Sequence, residues 1–355
     1  MTDKVQTAVM GVTGYAGAEL ARLLLRHPRL KGAPPVFAGR VDEKDAARGG
    51  VPLAEIHPQL ADNAGNGDLR LEPFSWELLE ARGVQLLFLA TPHEQSREWA
   101  PEALARGIRV IDLSGAWRLT DEANRAVYAF DDDGTELAAA TQAQAVYGMP
   151  ELHRAQIASA RLVANPGCYA TSIILALRPL VAAGLLDLAH GIVADAKSGV
   201  SGAGKAPTAK THYMYAADNL SAYGAFTHRH TGELLEQVGL RNSEIVFTPH
   251  LLPIPRGILS TIYVRFRAPQ SRASVAQVYR QFFAGSPMVR LHDKALPQIQ
   301  HSVRTCYADI GFQLAPDGQR AVIVSCLDNL LKGASGQAVQ NLNVMHGWPE
   351  AEGLE

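Results

Sequence analysis

The first 28 residues constrain the fold more than any other stretch. Val5 to Met10 is an apolar run of strand length, and Gly11-Val12-Thr13-Gly14-Tyr15-Ala16-Gly17 is a glycine turn. Ala18 to Arg26 then carries Leu20, Leu23 and Leu24 at helical spacing, and His27-Pro28 stops the helix because proline cannot continue it. Strand, glycine turn and helix make the first βα unit of a dinucleotide-binding sheet. The glycines permit the sharp turn and let a pyrophosphate reach the helix N-terminus. The spacing is GxxGxxG rather than GxGxxG, so its place between strand and helix carries the reading. A glycine turn without a ligand is the alternative.

The pattern continues with strands at Pro35 to Gly39, Val84 to Ala90 and Ile108 to Leu113, with helical stretches such as Ser96 to Arg106 between them. That alternation predicts a doubly wound α/β sheet. Arg40 closes the second strand, where NAD-binding folds usually carry an acid; a guanidinium there suits a 2′-phosphate and points to NADP(H). Thr91-Pro92-His93 and Arg118 lie just past strand ends, where such sheets place ligands. A solvated surface residue is the plain alternative for Arg40. Residues 120–146 are polar, alanine-rich and weakly patterned. Tyr147 to Leu152 reads as a crossing into a second domain.

Leu162 to Ala164, Asn165-Pro166-Gly167, Cys168 and the apolar run that follows spell strand, tight turn, cysteine, helix. A cysteine at a helix head meets unpaired N–H groups and the positive end of the macrodipole. Both lower a thiol pKa, and the same N–H groups can hold an oxyanion. A small buried hydrophobe is the competing role. Farther on, Ile258 to Arg267 alternates in and out, and Tyr307 to Leu314 and Ala321 to Leu327 are further strands. They predict a mostly antiparallel sheet in an α+β domain. The small-residue stretch Lys197 to Lys205, with Ser198, Gly199, Ser201 and Gly202, offers backbone N–H groups to a phosphate or nicotinamide. Its GxxxxGK match to a P-loop is accidental, since Ala206 and Pro207 follow.

His228-Arg229-His230 sits before a helix; no cysteine or further histidine nearby completes a metal site, so no metal is expected. One imidazole with one thiol is the minimum for thiol catalysis. Arg256 follows the stiff Pro253-Ile254-Pro255 turn and is a candidate for an anionic group, against a surface role. Asn329, in Asp328 to Gly333, is placed to reach a cofactor. The 355 residues allow two domains, and a formal net charge of −2 gives no sign of a polyanion partner. Three scattered cysteines suit a reducing compartment. No signal peptide or membrane-spanning run is evident, so the cytoplasm is expected.

Taken together, these segments resemble the N-acetyl-gamma-glutamyl-phosphate reductases over nearly the whole chain. The match includes Gly11 to Leu20, Leu89 to His93, Ile111 to Ser114 with Arg118, and Asn165 to Thr171. It continues through Ser198 to Gly204, His228 to Thr231, Pro253 to Leu259 and Asp328 to Gly336. The resemblance implies NADPH-dependent reduction of an acyl phosphate to an aldehyde in arginine biosynthesis. It implies an α/β chain with an N-terminal Rossmann domain, 1–150, completed by a C-terminal helix, 330–355. A catalytic and dimerisation α+β domain, 151–329, would follow, in a homo-oligomer. Cys168 matches the nucleophile and His228 the acid–base residue. Gly11, Thr13, Gly14, Tyr15, Ala16, Gly17, Arg40, Pro92, Ser198, Gly199, Ser201, Gly202 and Asn329 would touch the cofactor. Arg118, Asn165 and Arg256 would touch substrate. Two departures affect the expected pocket: Gly232 stands where proline is usual, and Arg304-Thr305-Cys306 where Gly-Ser/Thr-Asn is usual. The alternatives are the aminoadipyl-phosphate reductase of lysine biosynthesis and a non-catalytic NADP-binding sensor.

Overall fold

The computed structural model describes residues 4–61 and 69–355. The first strand forms at Thr7–Met10 and the first helix at Tyr15–Arg26, with Leu20, Ala21 and Leu24 fully buried. An eight-stranded sheet surrounds that strand in the order Val51–Pro52, Arg70–Pro73, Val36–Gly39, Thr7–Met10, Leu86–Leu89, Arg109–Asp112, Leu162–Ala164, Ala145–Tyr147. Neighbours run parallel except at the Val51–Pro52 edge. The central runs Thr7–Met10 and Leu86–Leu89 are wholly buried, which is why they read as continuous apolar stretches. Thr7–Met10 pairs with Val36–Gly39 on one side and Leu86–Leu89 on the other, so the sheet's switch point falls where the glycine turn begins.

The chain leaves this sheet later than the expected boundary at 150. Ala145–Tyr147 is a strand of this sheet, and Pro150 opens the helix Pro150–Ser159. Proline suits a first helical position, where its missing N–H costs nothing. The last strand then returns through Leu162–Ala164, and the crossing falls at Asn165-Pro166-Gly167. Within residues 120–146, short helices Glu122–Arg125 and Glu136–Gln142 are started by the side-chain caps Asp121 and Thr135, a local signal in a weakly patterned stretch.

A seven-stranded sheet forms the second half in the order Ser221–Ala222, Ile245–Leu252, Ile192–Gly199, Ile258–Arg265, Arg320–Leu327, Ala308–Leu314, Val289–His292. Only Ile192–Gly199 with Ile245–Leu252, and Val289–His292 with Ala308–Leu314, are parallel pairs. The helix Cys168–Ala182 lies on this sheet, packing Ile173, Ile174, Leu177 and Leu180 into a core with Ala194, Ile258, Ile262 and Ile323. Ile262 and Val264 face in while Tyr263 and Arg265 face out, as the alternation requires.

The C-terminal helix Gly336–Met345 returns to the first sheet, its Val339 and Leu342 sharing a core with Val9 and Leu20. Just before it, Lys332 is fully buried and pairs with the fully buried Glu151 at 2.8 Å. No helix among the described residues is long and apolar enough to cross a membrane.

Candidate active site

Cys168 is the first residue of its helix, half-buried, behind an N-cap glycine that makes no side-chain cap. The N–H groups of Tyr169 and Cys168 face its sulfur. The thiol is nevertheless not lowered as the helix-head argument predicts. Burial pushes it up to about 11, over the opposing Tyr169 N–H and the positive charge of Arg118. The buried Cys306 and Cys326 are pushed further, to about 12. Gly333 stands directly behind the cysteine: a Cβ there would lie 2.7 Å from the Cys168 Cβ.

Two cavities meet at Cys168. One, of about 300 Å³, runs from the cysteine to the glycine turn. The other, of about 220 Å³, is walled by Tyr169, Tyr223 and His228. His230 borders both, whereas His228 borders only the second. The two imidazoles lie edge to face, with centroids 4.7 Å apart. The backbone N–H of His230 donates to His228 Nδ1 at 3.1 Å. Burial, helped by the Arg229 charge, pushes His228 down to about 4, so it is neutral at pH 7. With Nδ1 accepting, its one ring proton sits on Nε2. Burial also holds His230 well below the ordinary range. Its ring lies over the turn before the cysteine: a Cβ on Gly167 would be 2.3 Å from His230 Nε2.

Beneath this cluster is Glu233, fully buried and absent from the sequence-based expectations. It accepts from Tyr147 Oη at 2.7 Å, from the Gly167 N–H at 2.9 Å and from Arg118 Nη1 at 3.2 Å. It also stands 3.9 Å from His230 Nε2. A signal existed in its spacing: three residues after His230, it falls on the same face of the helix Thr231–Leu234. Nothing in the sequence said that this face is buried.

On the cofactor side, Gly11 holds a φ of +87°, and a Cβ on Gly17 would come within 2.1 Å of the Gly11 carbonyl oxygen. Both positions therefore require glycine. Gly14 is the N-cap of Tyr15–Arg26, without a side-chain cap and with no acid in the first turn. Gly14, Tyr15, Ala16 and Gly17 line the 300 Å³ cavity beside Ser201, Gly202, Lys205 and Asn329, and the Gly14 N–H itself donates to the Gly11 carbonyl. An uncapped helix head beside a lysine fits a pyrophosphate. Ser198 and Gly199 fall instead on the second cavity, and Thr13 on a neighbouring one. Asn329 ties the loop in place: its Nδ2 donates to Ser201 Oγ, and its Oδ1 accepts the Gly257 N–H. Arg40 and Pro92 are exposed just past their strand ends, and neither borders the two cavities at Cys168.

The three substrate candidates fare differently from expectation. Arg118 borders the cavity, but its guanidinium is largely spent on Glu233, the Asn165 carbonyl and the Leu113 carbonyl. Asn165 is fully buried and borders neither cavity; its amide joins the Ala334 carbonyl and Asn341. Arg256 is clamped between Glu19 and Asp328, away from Cys168. An arginine next to a strand end or a stiff turn looks the same in sequence whether it awaits an anion or already has one. The departures are absorbed locally. Gly232 packs against Leu119 and Asn124, and residues 304–306 border neither cavity.

A parallel nucleotide-type sheet joined to a mixed sheet, with a cysteine at a helix head between them, defines an enzyme of the semialdehyde dehydrogenase type. Family models agree: "Semialdehyde dehydrogenase, NAD binding domain" matches residues 6–160, and "Semialdehyde dehydrogenase, dimerisation domain" matches 168–329. Among solved structures, aspartate semialdehyde dehydrogenase II of Vibrio cholerae aligns with a TM-score of 0.69 at 18% identity, over 97% of this chain and 98% of that one. The Candida albicans aspartate semialdehyde dehydrogenase, solved with NADP, aligns with a TM-score of 0.68 at 15% identity, over 96% and 98%. At those identities the likeness concerns fold alone.

The chain belongs to the N-acetyl-gamma-glutamyl-phosphate reductase family. It is 41% identical to the Escherichia coli protein of that name over 351 residues, 99% of each chain. It is 41% identical to that of Pelotomaculum thermopropionicum over 99% of this chain and 97% of the relative, and 39% identical to that of Methanococcus maripaludis over 98% and 97%.

Proposed function

We propose that this enzyme reduces N-acetyl-γ-glutamyl phosphate to N-acetylglutamate 5-semialdehyde and phosphate with NADPH, on the route to arginine, through a thioester on Cys168. One observation carries the proposal: the thiol stands at a helix head where a cavity from the glycine turn meets a second cavity. The relatives' names supply the substrate, and Arg40 at the second strand end favours the 2′-phosphate of NADP(H). The reading assigns residues 1–164 with 330–355 to cofactor binding and 165–329 to catalysis. The dimerisation-domain match supports a homo-oligomer, and three free thiols suit the cytoplasm.

In this mechanism the Cys168 sulfur attacks the acyl carbon while the N–H groups of Cys168 and Tyr169 hold the developing oxyanion. Phosphate leaves with the proton the thiol gives up, and a thioester remains on the sulfur. The bound nicotinamide supplies the hydride. His228, with its proton on Nε2, donates that N–H to the substrate oxygen as the hydride arrives and supports it until the thiohemiacetal oxyanion collapses to aldehyde; the departing Cys168 thiolate takes a proton from solvent. A second reading gives that hydrogen bond to His230, because His230 alone of the pair borders both cavities and its buried Nδ1 has no partner among the described residues.

The assay runs in the oxidative direction, with NADP⁺, phosphate and N-acetylglutamate semialdehyde, beside the homologue one carbon longer. Preference for the shorter aldehyde is expected. Preference for the longer would move the enzyme to the aminoadipate route. NADPH binding with no turnover of either would favour the sensor.

A further inference from the structure

The arginines nearest the site already have carboxylates. Arg118 has Glu233, and Arg256 has Glu19 and Asp328. The second cavity differs. No Asp or Glu is among its described lining residues, yet Lys210 and Arg229 both border it, and neither forms an ion pair among the described residues. Both are exposed at its mouth. Their nearest notable neighbours are aromatic faces: Lys210 Nζ lies 6.0 Å from the Tyr223 ring, and the Arg229 guanidinium 5.7 Å from the Tyr128 ring. Tyr169, Tyr223 and His228 wall the interior, and Thr208, Thr211 and Ser221 add hydroxyls.

We propose that this second cavity receives the carbon chain of the substrate and that Arg229 and Lys210 bind its free carboxylate. The inference rests on the function proposed above. An acyl phosphate of an N-acylated amino acid has two anionic ends on a short chain. The acyl carbon must meet Cys168, so the hydride donor takes the glycine-turn cavity. The chain and carboxylate then have the other cavity, whose unneutralised charges are both positive. A guanidinium and an ammonium at its mouth offer charge-assisted hydrogen bonds to a carboxylate. They touch substrate without taking part in bond making.

The test compares N-acetylglutamate semialdehyde with 4-acetamidobutanal, the same aldehyde without its carboxylate. We would measure kcat/KM for each with NADP⁺ and phosphate, in wild type, Arg229→Ala, Lys210→Ala and Arg229→Lys. Wild type should favour the carboxylate-bearing aldehyde. Each alanine variant should shrink that preference by roughly tenfold to a hundredfold, mostly through KM, and Arg229→Lys should restore part of it. Arg229 lies between two histidines, so Lys210→Ala guards against a loss caused by a disturbed imidazole. A preference unchanged in both alanine variants, or equal losses on both aldehydes, overturns the assignment. If wild type fails to oxidise N-acetylglutamate semialdehyde at all, the proposed function falls and this pocket assignment with it. Normal wild-type turnover with an intact preference in the variants sinks the pocket assignment alone.

Discussion

The helices Tyr15–Arg26 and Cys168–Ala182 both follow a buried strand and a glycine, and neither head has a side-chain cap. At the first, the unpaired N–H groups open onto a cavity beside Lys205, with no acid in the first turn. At the second, buried Glu233 takes the Gly167 N–H, the His230 ring covers the turn, and the next N–H groups face a sulfur. Identical backbone chemistry thus meets an open cavity in one place and a sulfur in the other. The surroundings decide which. An anion site needs N–H groups left open to a cavity. A nucleophile site needs its turn held still by groups that leave the sulfur facing a cavity.

The comparison breaks most sharply at the sulfur. Cys168→Ala should cut turnover by roughly 10⁴-fold or more while NADPH still binds. Near wild-type aldehyde formation by that variant would show that the second head is not a nucleophile site. Cys306→Ala and Cys326→Ala should spare the chemical step, since both thiols are buried away from the two cavities.

Gly17→Ala tests the first head. Its Cβ would meet the Gly11 carbonyl at 2.1 Å, so a loss of about 3 kcal/mol in stability is expected, with weaker cofactor binding. Gly14→Ala has φ −82° and its nearest such contact at 3.6 Å, and should keep the stability. Equal melting temperatures for the two variants would mean that the turn is looser than described.

The histidines divide thiol activation from support of the substrate oxygen. His228→Asn should slow single-turnover hydride transfer by about 10²–10⁴-fold while Cys168 remains open to alkylation. In the ligand-free enzyme the thiol is raised, so thiolate is scarce at pH 7. The iodoacetamide rate should keep rising with pH toward about 11 rather than level off near neutrality. A plateau near pH 7 would restore the lowered thiol that the helix head alone predicts. Crippling by His230→Asn but not His228→Asn would transfer that role.

The smallest effect belongs to Arg40. Arg40→Ala should weaken NADPH more than NADH, by a few-fold to about tenfold, because an exposed cation is screened by solvent. Equal losses for the two cofactors would free Arg40 from any role at the 2′-phosphate.

Local order decided what the sequence could show by itself. Strand, glycine and helix succeed one another within a few residues at both heads, so their elements, the need for glycine in the turn and the place of Cys168 were legible. Alternation from Ile258 likewise carried the mixed sheet. Past 150 the chain stays on the first sheet, because a proline that opens a helix looks the same in sequence as one that ends a domain. What only the tertiary structure decided were partners distant in the chain. Arg118 meets Glu233 across 115 positions, Arg256 meets Glu19 across 237, and the Asn165 amide is claimed by Asn341 across 176. A side chain's charge is written in the sequence, but whether that charge is free depends on what folding brings beside it. The same holds for the thiol: its helix head was readable, whereas the burial that outweighs it comes from cavity walls assembled from both halves of the chain.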